Sequence, residues 1–262
     1  MRYLELQNVS KSFGKVAAVS NVSLHVDQGE VLGFLGDNGA GKSTTIRLIA
    51  GVHTPDTGEI LVKGKRVWPW SVAAARRCGI ETVFQDRALA EQQTIPTNLF
   101  MGREPTRFWG FLDVKRQRRE TELLMRQIGF TSQVFSMHSP VLTLSGGERQ
   151  GIAIARALHF QAELLILDEP TAALSLTECE KVFSLVRAIR QQGRSCIFIS
   201  HNIYHAYDVC DRFVILDRGT VSFELRKDET TAQQLIERMQ HVARQSSRHA
   251  GADELGGARS DA

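Results

Sequence analysis

An apolar run, Val31 to Leu35, passes directly into Gly36-Asp37-Asn38-Gly39-Ala40-Gly41-Lys42-Ser43, and that into a stretch ending at Ala50 and closed by Gly51. The first run has strand length, and the last reads as a helix with a glycine stop. The loop between them has the spacing G-x-x-x-x-G-K-S. Its glycines let backbone N–H groups curl around a phosphate with no Cβ in the way, and the helix N-terminus adds partial positive charge. In such a loop Lys42 reaches β- and γ-phosphates, and the Ser43 hydroxyl ligates Mg²⁺. A glycine-rich turn without a ligand is the alternative, and the flanking strand and helix argue against it.

The 262 residues suffice for one large domain or a domain with a sub-domain. No apolar run approaches the roughly 18 residues of a membrane span, and the N-terminus shows no signal-peptide pattern. Cys78, Cys179, Cys196 and Cys210 lack metal-ligand spacing and are expected as small buried hydrophobes in a reducing compartment. A net charge of +3 neither demands nor excludes nucleic acid or an anionic membrane.

Ahead of the loop, Leu4 to Val9 and Val22 to Val26 alternate as half-buried strands. The turn Ser12-Phe13-Gly14-Lys15 places an aromatic that reads equally as core filler or as a base-stacking ring. Beyond the loop, Glu59 to Val62 and Gly79 to Phe84 read as strands, the second leading to Gln85. Trp68-Pro69-Trp70 reads as a packed surface turn.

Residues 88 to 160 lack that strand pattern and predict a helical insertion into the α/β core. Asp113 caps a helix expected to reach Ile128, with Gly129 as its stop; its basic residues Lys115, Arg116, Arg118 and Arg119 read as a solvated face. Ser145 and Glu148 stand in capping-box spacing at the head of another helix. Gly146 and Gly147 leave its N-terminus open to a phosphate.

Leu164 to Leu167 is an apolar strand ending in Asp168-Glu169. Two adjacent carboxylates at a buried strand end are costly without a cation, so Asp168 is a candidate metal-organising residue and Glu169 a candidate base for a water. Ser175 and Glu178 form a second capping box, and a further strand, Cys196 to Ser200, delivers His201, a candidate contact for a γ-phosphate. Arg212 to Leu216 is the last core strand, and the tail beyond about 244 is expected to be disordered.

Together these pieces resemble the nucleotide-binding subunit of an ABC (ATP-binding cassette) transporter over roughly residues 3 to 225. Phe13 resembles the adenine-stacking A-loop, Gly36 to Thr44 Walker A, Gln85 the Q-loop and Leu144 to Glu148 the signature motif. Leu164 to Asp168 with Glu169 resembles Walker B with its catalytic glutamate, and His201 the switch histidine. Glu148 departs from the usual Gln of the signature, and Ser175 from the Asp common in the D-loop.

The resemblance implies an α/β fold, a P-loop NTPase (RecA-like) core with an antiparallel β sub-domain and an inserted helical sub-domain. Residues 1–225 would form the ATPase domain with its insertion at about 88–160, 226–243 a C-terminal helix and 244–262 a disordered tail. ATP and Mg²⁺ would bind at Phe13, Gly36, Asp37, Asn38, Gly39, Ala40, Gly41, Lys42, Ser43 and Thr44, with Ser145, Gly146 and Gly147 closing over the nucleotide of a second subunit. Ser43, Gln85 and Asp168 would face the metal, and Glu169, His201, Gln85 and Lys42 would carry catalysis.

Within the family, Gly36 to Gly41, Asn98 to Glu104 and Thr171 to Leu174 look like the monosaccharide importers, here with a single cassette that must pair with another copy or a partner cassette. The implied partners are transmembrane permease subunits, a periplasmic sugar-binding protein and a second ATP-binding subunit, with the chain peripheral at the cytoplasmic face of the inner membrane and no nucleic acid involved. The rivals are a soluble ABC-type ATPase acting on nucleic acid or the translation machinery, a nucleotide-binding regulator, and an importer of a non-sugar solute. Gln85 and Ser145 lie too close for the long coiled coil of the chromosome-type relatives, and Glu169 with His201 argues against a pure regulator.

Overall fold

The structure, a computed structural model, describes residues 1–84, 89–127 and 138–257, with side chains to residue 244. Chain order begins β1 (Arg2–Phe13), β2 (Val16–Asp27), β3 (Val31–Leu35), α1 (Lys42–Ile49), β4 (Thr57–Val62), β5 (Lys65–Arg66), α2 (Val72–Arg77) and β6 (Ile80–Val83). It continues with α3 (Ile95–Phe100), α4 (Val114–Gln127), α5 (Gly146–His159), β7 (Leu164–Asp168), α6 (Leu176–Gln191), β8 (Ser195–Ile199), α7 (Ile203–Val209), β9 (Arg212–Asp217), β10 (Thr220–Arg226) and α8 (Ala232–Gly257).

Two sheets result. One is antiparallel, in the order β2-β1-β4-β5; the other runs β10-β9-β3-β8-β7-β6, parallel except for the β9–β10 hairpin. The parallel strands β3, β7 and β8 are mostly apolar because both faces of the sheet are covered, and β3 and β8 are buried at every position. One core lies between the two sheets around α1, and a second lies on the opposite face under α6, α7 and α8. This is the α/β architecture expected.

The first hairpin is longer than the alternation indicated. β1 and β2 are each 12 residues long and pair through several register shifts, with Asn8 and Asn21 in the left-handed region. Each of these asparagines donates its backbone N–H to a serine hydroxyl on the facing strand, Ser23 and Ser10, both at 2.9 Å. Such bulges break strict alternation, and so the pattern faded between residues 10 and 21.

Helices α3, α4 and α5 enclose a third, separate core of Ile95, Leu99, Phe100, Leu124, Met125, Val141, Ile152 and Ala155. Asn98, fully buried, donates to the carbonyls of Ala90 and Thr94 at 3.0 Å and accepts from Ala90 N–H at 2.8 Å. Arg103 ties this region to β6 through Glu81 at 2.7 Å. Asp113 accepts from Arg116 N–H at the head of α4 as expected; Ile128 and Gly129 lie outside the described residues. Just before α4, Arg107 N–H bonds Phe111 carbonyl at 2.7 Å and closes a tight turn whose Phe108 and Trp109 are more than nine-tenths exposed.

Three expectations need adjustment. Trp70 is not a surface residue: it is buried and donates its indole N–H to Leu48 carbonyl at 2.7 Å, while Trp68 stays outside under Arg66. The C-terminal helix starts at Ala232, not 226, because an additional edge strand, β10, runs through Arg226. It also continues to Gly257, past residue 243; no proline interrupts that stretch, and Ala, Arg, Gln, Glu and Leu are helix formers.

Arg212, 8% exposed, joins four segments. Its guanidinium bonds Glu30 at 2.7 and 3.1 Å, Glu224 at 2.8 Å and the His25 carbonyl at 2.7 Å. Arg212→Ala leaves the largely covered Glu30 carboxylate without its cation, with only the Asp27 N–H still bonded to it, and is expected to destabilise the chain by about 2 kcal/mol, read as a lower urea midpoint at unchanged slope.

Candidate active site

The carboxyl ends of β3, β7 and β9 open onto one cleft of ≈ 460 Å³. Its floor is the loop from Asp37 to Thr44, and its walls are Val16, Ala17 and Ala18 on one side, Asp168 and Glu169 on another, and the turn Arg218-Gly219 on a third. The loop is pressed against backbone. Gly36 has φ +150°, and a Cβ there would lie 2.3 Å from Leu216 carbonyl oxygen; Gly41 has φ +100°, and its Cβ would lie 2.5 Å from that of Ala18. Only glycine meets both demands at these two positions. Ala40, buried beneath the loop, donates to Asp37 carbonyl at 3.1 Å.

Lys42 opens α1 and curls back over the loop, its Nζ donating to Gly36 carbonyl at 2.6 Å and Asp37 carbonyl at 2.9 Å. Burial lowers its pKa, and the neighbouring charges of Glu169, Asp37 and Asp168 only partly offset this. Asp168 is displaced the opposite way: burial and the adjacent Glu169 carboxylate raise its pKa, against the pull of Lys42 and Arg47. The cleft therefore holds two cations, Lys42 and Arg218, and three carboxylates, Asp37, Asp168 and Glu169, with Lys42 and Asp168 both disfavoured in their charged forms.

Glu169 stands in the left-handed region at φ +50°, its N–H donating to Ile199 carbonyl at 3.1 Å. That twist aims its carboxylate at His201, whose Nδ1 lies 2.9 Å from Oε2. The ring is 71% exposed, so its other nitrogen is open to the cleft mouth or to solvent. Ser43, Asp168 and Glu169 offer hard oxygen donors to one cleft, while among the described residues no group of three or more His, Cys, Asp or Glu closes a metal cage. Such a donor set fits a small divalent cation that completes its shell with phosphate oxygens and water.

Phe13 and the Ser145–Gly147 segment lie apart from this cleft. Phe13 ends β1 opposite Val16 and is 46% exposed; its ring meets His53 edge-on at 5.2 Å and is not among the cleft-lining groups. Ser145, Gly146 and Gly147 head α5, outside the cleft of their own chain. Gln85 lies outside the described residues. Val16, Ala17, Ala18, Arg218 and Gly219 were not foreseen. Three small residues at the start of a strand carry no chemical signal, and Asp217-Arg218-Gly219 read only as a turn.

Residues 19–172 match the ABC transporter family. The chain is 42% identical to the xylose/arabinose import ATP-binding protein XylG of Sulfolobus acidocaldarius, over 92% of this chain and 94% of that one. It is 40% identical to the ribose import ATP-binding protein RbsA 2 of Streptomyces avermitilis over 90% of this chain but only 46% of that protein, so it spans about half the length of such relatives. Among solved structures it is similar to the dimeric post-hydrolysis state of the ATP-binding cassette MJ0796 bound to ADP and Pi. That similarity has a TM-score of 0.73 at 26% identity and covers 86% of this chain and 98% of that one.

The raised pKa of Asp168 means that folding places its charged form at a disadvantage relative to the unfolded chain. Asp168→Asn is expected to raise the melting temperature of the nucleotide-free chain at neutral pH, where the unfolded carboxylate is charged. A calorimetric scan that shows a lower melting temperature would contradict this account of the cleft.

Proposed function

Given that this chain belongs to the ABC transporter family and is one of its ATP-hydrolysing cassettes, we propose that it energises the uptake of a monosaccharide through separate membrane-spanning permease subunits. The chemistry rests on one observation, the convergence of Lys42, Ser43, Asp168 and Glu169 on a single cleft around a glycine loop. The substrate class rests on the relative of matching length, whose name gives xylose and arabinose.

In this reading the loop amides of Gly36 to Gly41 and the Lys42 ammonium hold the β- and γ-phosphates of ATP, and Asn38, Ser43 and Thr44 complete the cradle. Phe13 stacks on the base at the mouth of the cleft. Ser43 and Asp168 would hold Mg²⁺, with Gln85 assigned to the same ion by the resemblance; such an ion would supply neutralisation of phosphate charge. Glu169 orients the attacking water and takes its proton. His201, held through Nδ1 by Glu169, presents its other nitrogen to the γ-phosphate. Catalysis is then mostly positioning and charge neutralisation.

A second ATP-binding subunit, a copy of this chain in the simplest arrangement, would lay Ser145, Gly146 and Gly147 over the same ATP. Among the described residues no helix is long and apolar enough to cross a membrane. The permease would supply the spans, with this chain peripheral at the cytoplasmic face of the inner membrane, and a periplasmic binding protein would deliver the sugar. We assign residues 1–225 to the ATPase domain, with the insertion at about 88–160, and the stretch 86–104 to permease docking.

Two measurements test the proposal. Lys42→Ala is expected to weaken ATP binding at least tenfold, whereas Glu169→Gln keeps binding and loses at least a hundredfold in phosphate release; unchanged hydrolysis in Glu169→Gln rules it out as the base. In liposomes, the complete complex should hydrolyse ATP faster when a sugar-loaded binding protein is added. Stimulation by an amino acid, a metal or a lipid, and by no monosaccharide, overturns the substrate class and leaves the ATPase standing.

A further inference from the structure

The N-termini of α5 and α6 meet at one carboxylate, that of Glu178. Its Oε1 accepts from Gly147 N–H at 2.9 Å, and its Oε2 from Ser175 N–H and the Ser175 hydroxyl at 3.0 Å each. These amides and the nearby Ser145 hydroxyl hold the carboxyl down at about 2, so it is charged throughout the working range. The contact is close enough to dictate sequence: a Cβ on Gly147 would lie 2.6 Å from Glu178 Cγ. Gly146 is similarly seated, since a Cβ on it would come 3.3 Å from the Leu174 side chain.

The two ends so joined have different tasks. Ser175 closes the loop that starts at Glu169, six residues earlier in the chain, while Ser145 to Gly147 is the end of α5 assigned above to the nucleotide of a second subunit. We propose that Glu178 is a positioning residue that fixes the Ser145–Gly147 end of α5 against the loop following Glu169, and so sets how this chain engages ATP held by its partner. It touches neither nucleotide nor metal. Its effect is exerted through Gly147, whose amide direction it fixes, and through Ser175, whose loop it anchors. The inference rests on the two-subunit reading above.

The side chain's length separates this role from simple capping of α6. Gln at position 178 keeps one acceptor, for Gly147, and its amide NH2 can donate to the Ser175 hydroxyl, although the Ser175 N–H then loses its acceptor. Asp suits the first turn of a helix equally well but is one methylene too short to reach Gly147.

The test uses the full chain carrying Glu169→Gln, with ATP-driven dimerisation followed by sedimentation, and the Glu169-intact chain for kcat. Glu178→Ala and Glu178→Asp are each expected to raise the ATP concentration for half-dimerisation about tenfold and to lower kcat by a similar factor, the usual scale for one lost charge-assisted hydrogen bond. ATP affinity of the dilute monomer should not change. Glu178→Gln should return both quantities to within about threefold of the parent. A normal Glu178→Asp protein would reduce Glu178 to a cap of α6, and tighter dimerisation of Glu178→Ala would make the carboxylate an opponent of closure; either result overturns the proposal. Ser145→Arg, which blocks the end of α5, is the control. If it leaves the dimer intact, the two-subunit reading itself fails; if it abolishes the dimer while Glu178→Ala and Glu178→Asp dimerise normally, only the role of Glu178 fails.

Discussion

The site depends on the register of four parallel strands. Phe34 of β3 pairs with Ile199 of β8 and with Val214 of β9, and Ile199 in turn pairs with Asp168 at the end of β7. One row of the sheet therefore stops at a common level, and what each strand releases beyond it falls in one place. β3 releases the glycine loop, β7 the carboxylates, β8 His201 and β9 the turn with Arg218. Parallel strands leave their carboxyl ends as the natural crevice of an open sheet; here the connections after β3, β7 and β9 share it, and His201 after β8 is held beside it by Glu169. A slip of one residue in β7 would turn Asp168 to the opposite face of the sheet and separate it from Lys42.

That geometry forces unlike charges into a poorly solvated space, and the shifts of Lys42 and Asp168 record the cost. A phosphate alone would satisfy Lys42 and be repelled by Asp168 and Glu169. A metal ion alone would suit the carboxylates and be repelled by Lys42. A phosphate that brings its own divalent cation meets both demands together, so the cleft is better matched to a metal–nucleotide pair than to either part. The Lys42 ammonium is also held by the carbonyls of Gly36 and Asp37. The left-handed turn at Glu169 is a further local strain retained where the chemistry is placed.

Much of this was legible in the sequence because the informative signals were local. The glycine loop, both capping boxes and the buried strands β3, β7 and β8 each occupy a few consecutive residues, and their chemistry is fixed by covalent spacing. Signals that depend on partners distant in the chain were faint. The small residues Ala17 and Ala18 matter only because Gly41 packs against the Ala18 carbonyl, and Trp70 is internal only because the Leu48 carbonyl awaits its N–H. β10 is different: Val221, Phe223 and Leu225 alternate with polar residues in the sequence itself, a local strand signal that went unread. Phe13, which the sequence left open between core and base stacking, is half-exposed and in contact with His53, neither core filler nor a wall of the cleft.

The two departures from the usual family pattern find their reasons in helix-end chemistry. At the head of α5, Glu148 accepts from Ser145 N–H at 2.8 Å while Ser145 Oγ accepts from Glu148 N–H at 3.2 Å, a reciprocal cap that Gln would also make. The change at 175 is less neutral. Glu178 accepts both the N–H and the hydroxyl of Ser175, and the hydroxyl is a donor that an ionised Asp does not have. An aspartate there would set two carboxylates against each other at the same helix end. Ser175 and Glu178 therefore belong together as one choice: once the third residue of α6 is the acid that reaches across to Gly147, its own cap has to be a hydroxyl.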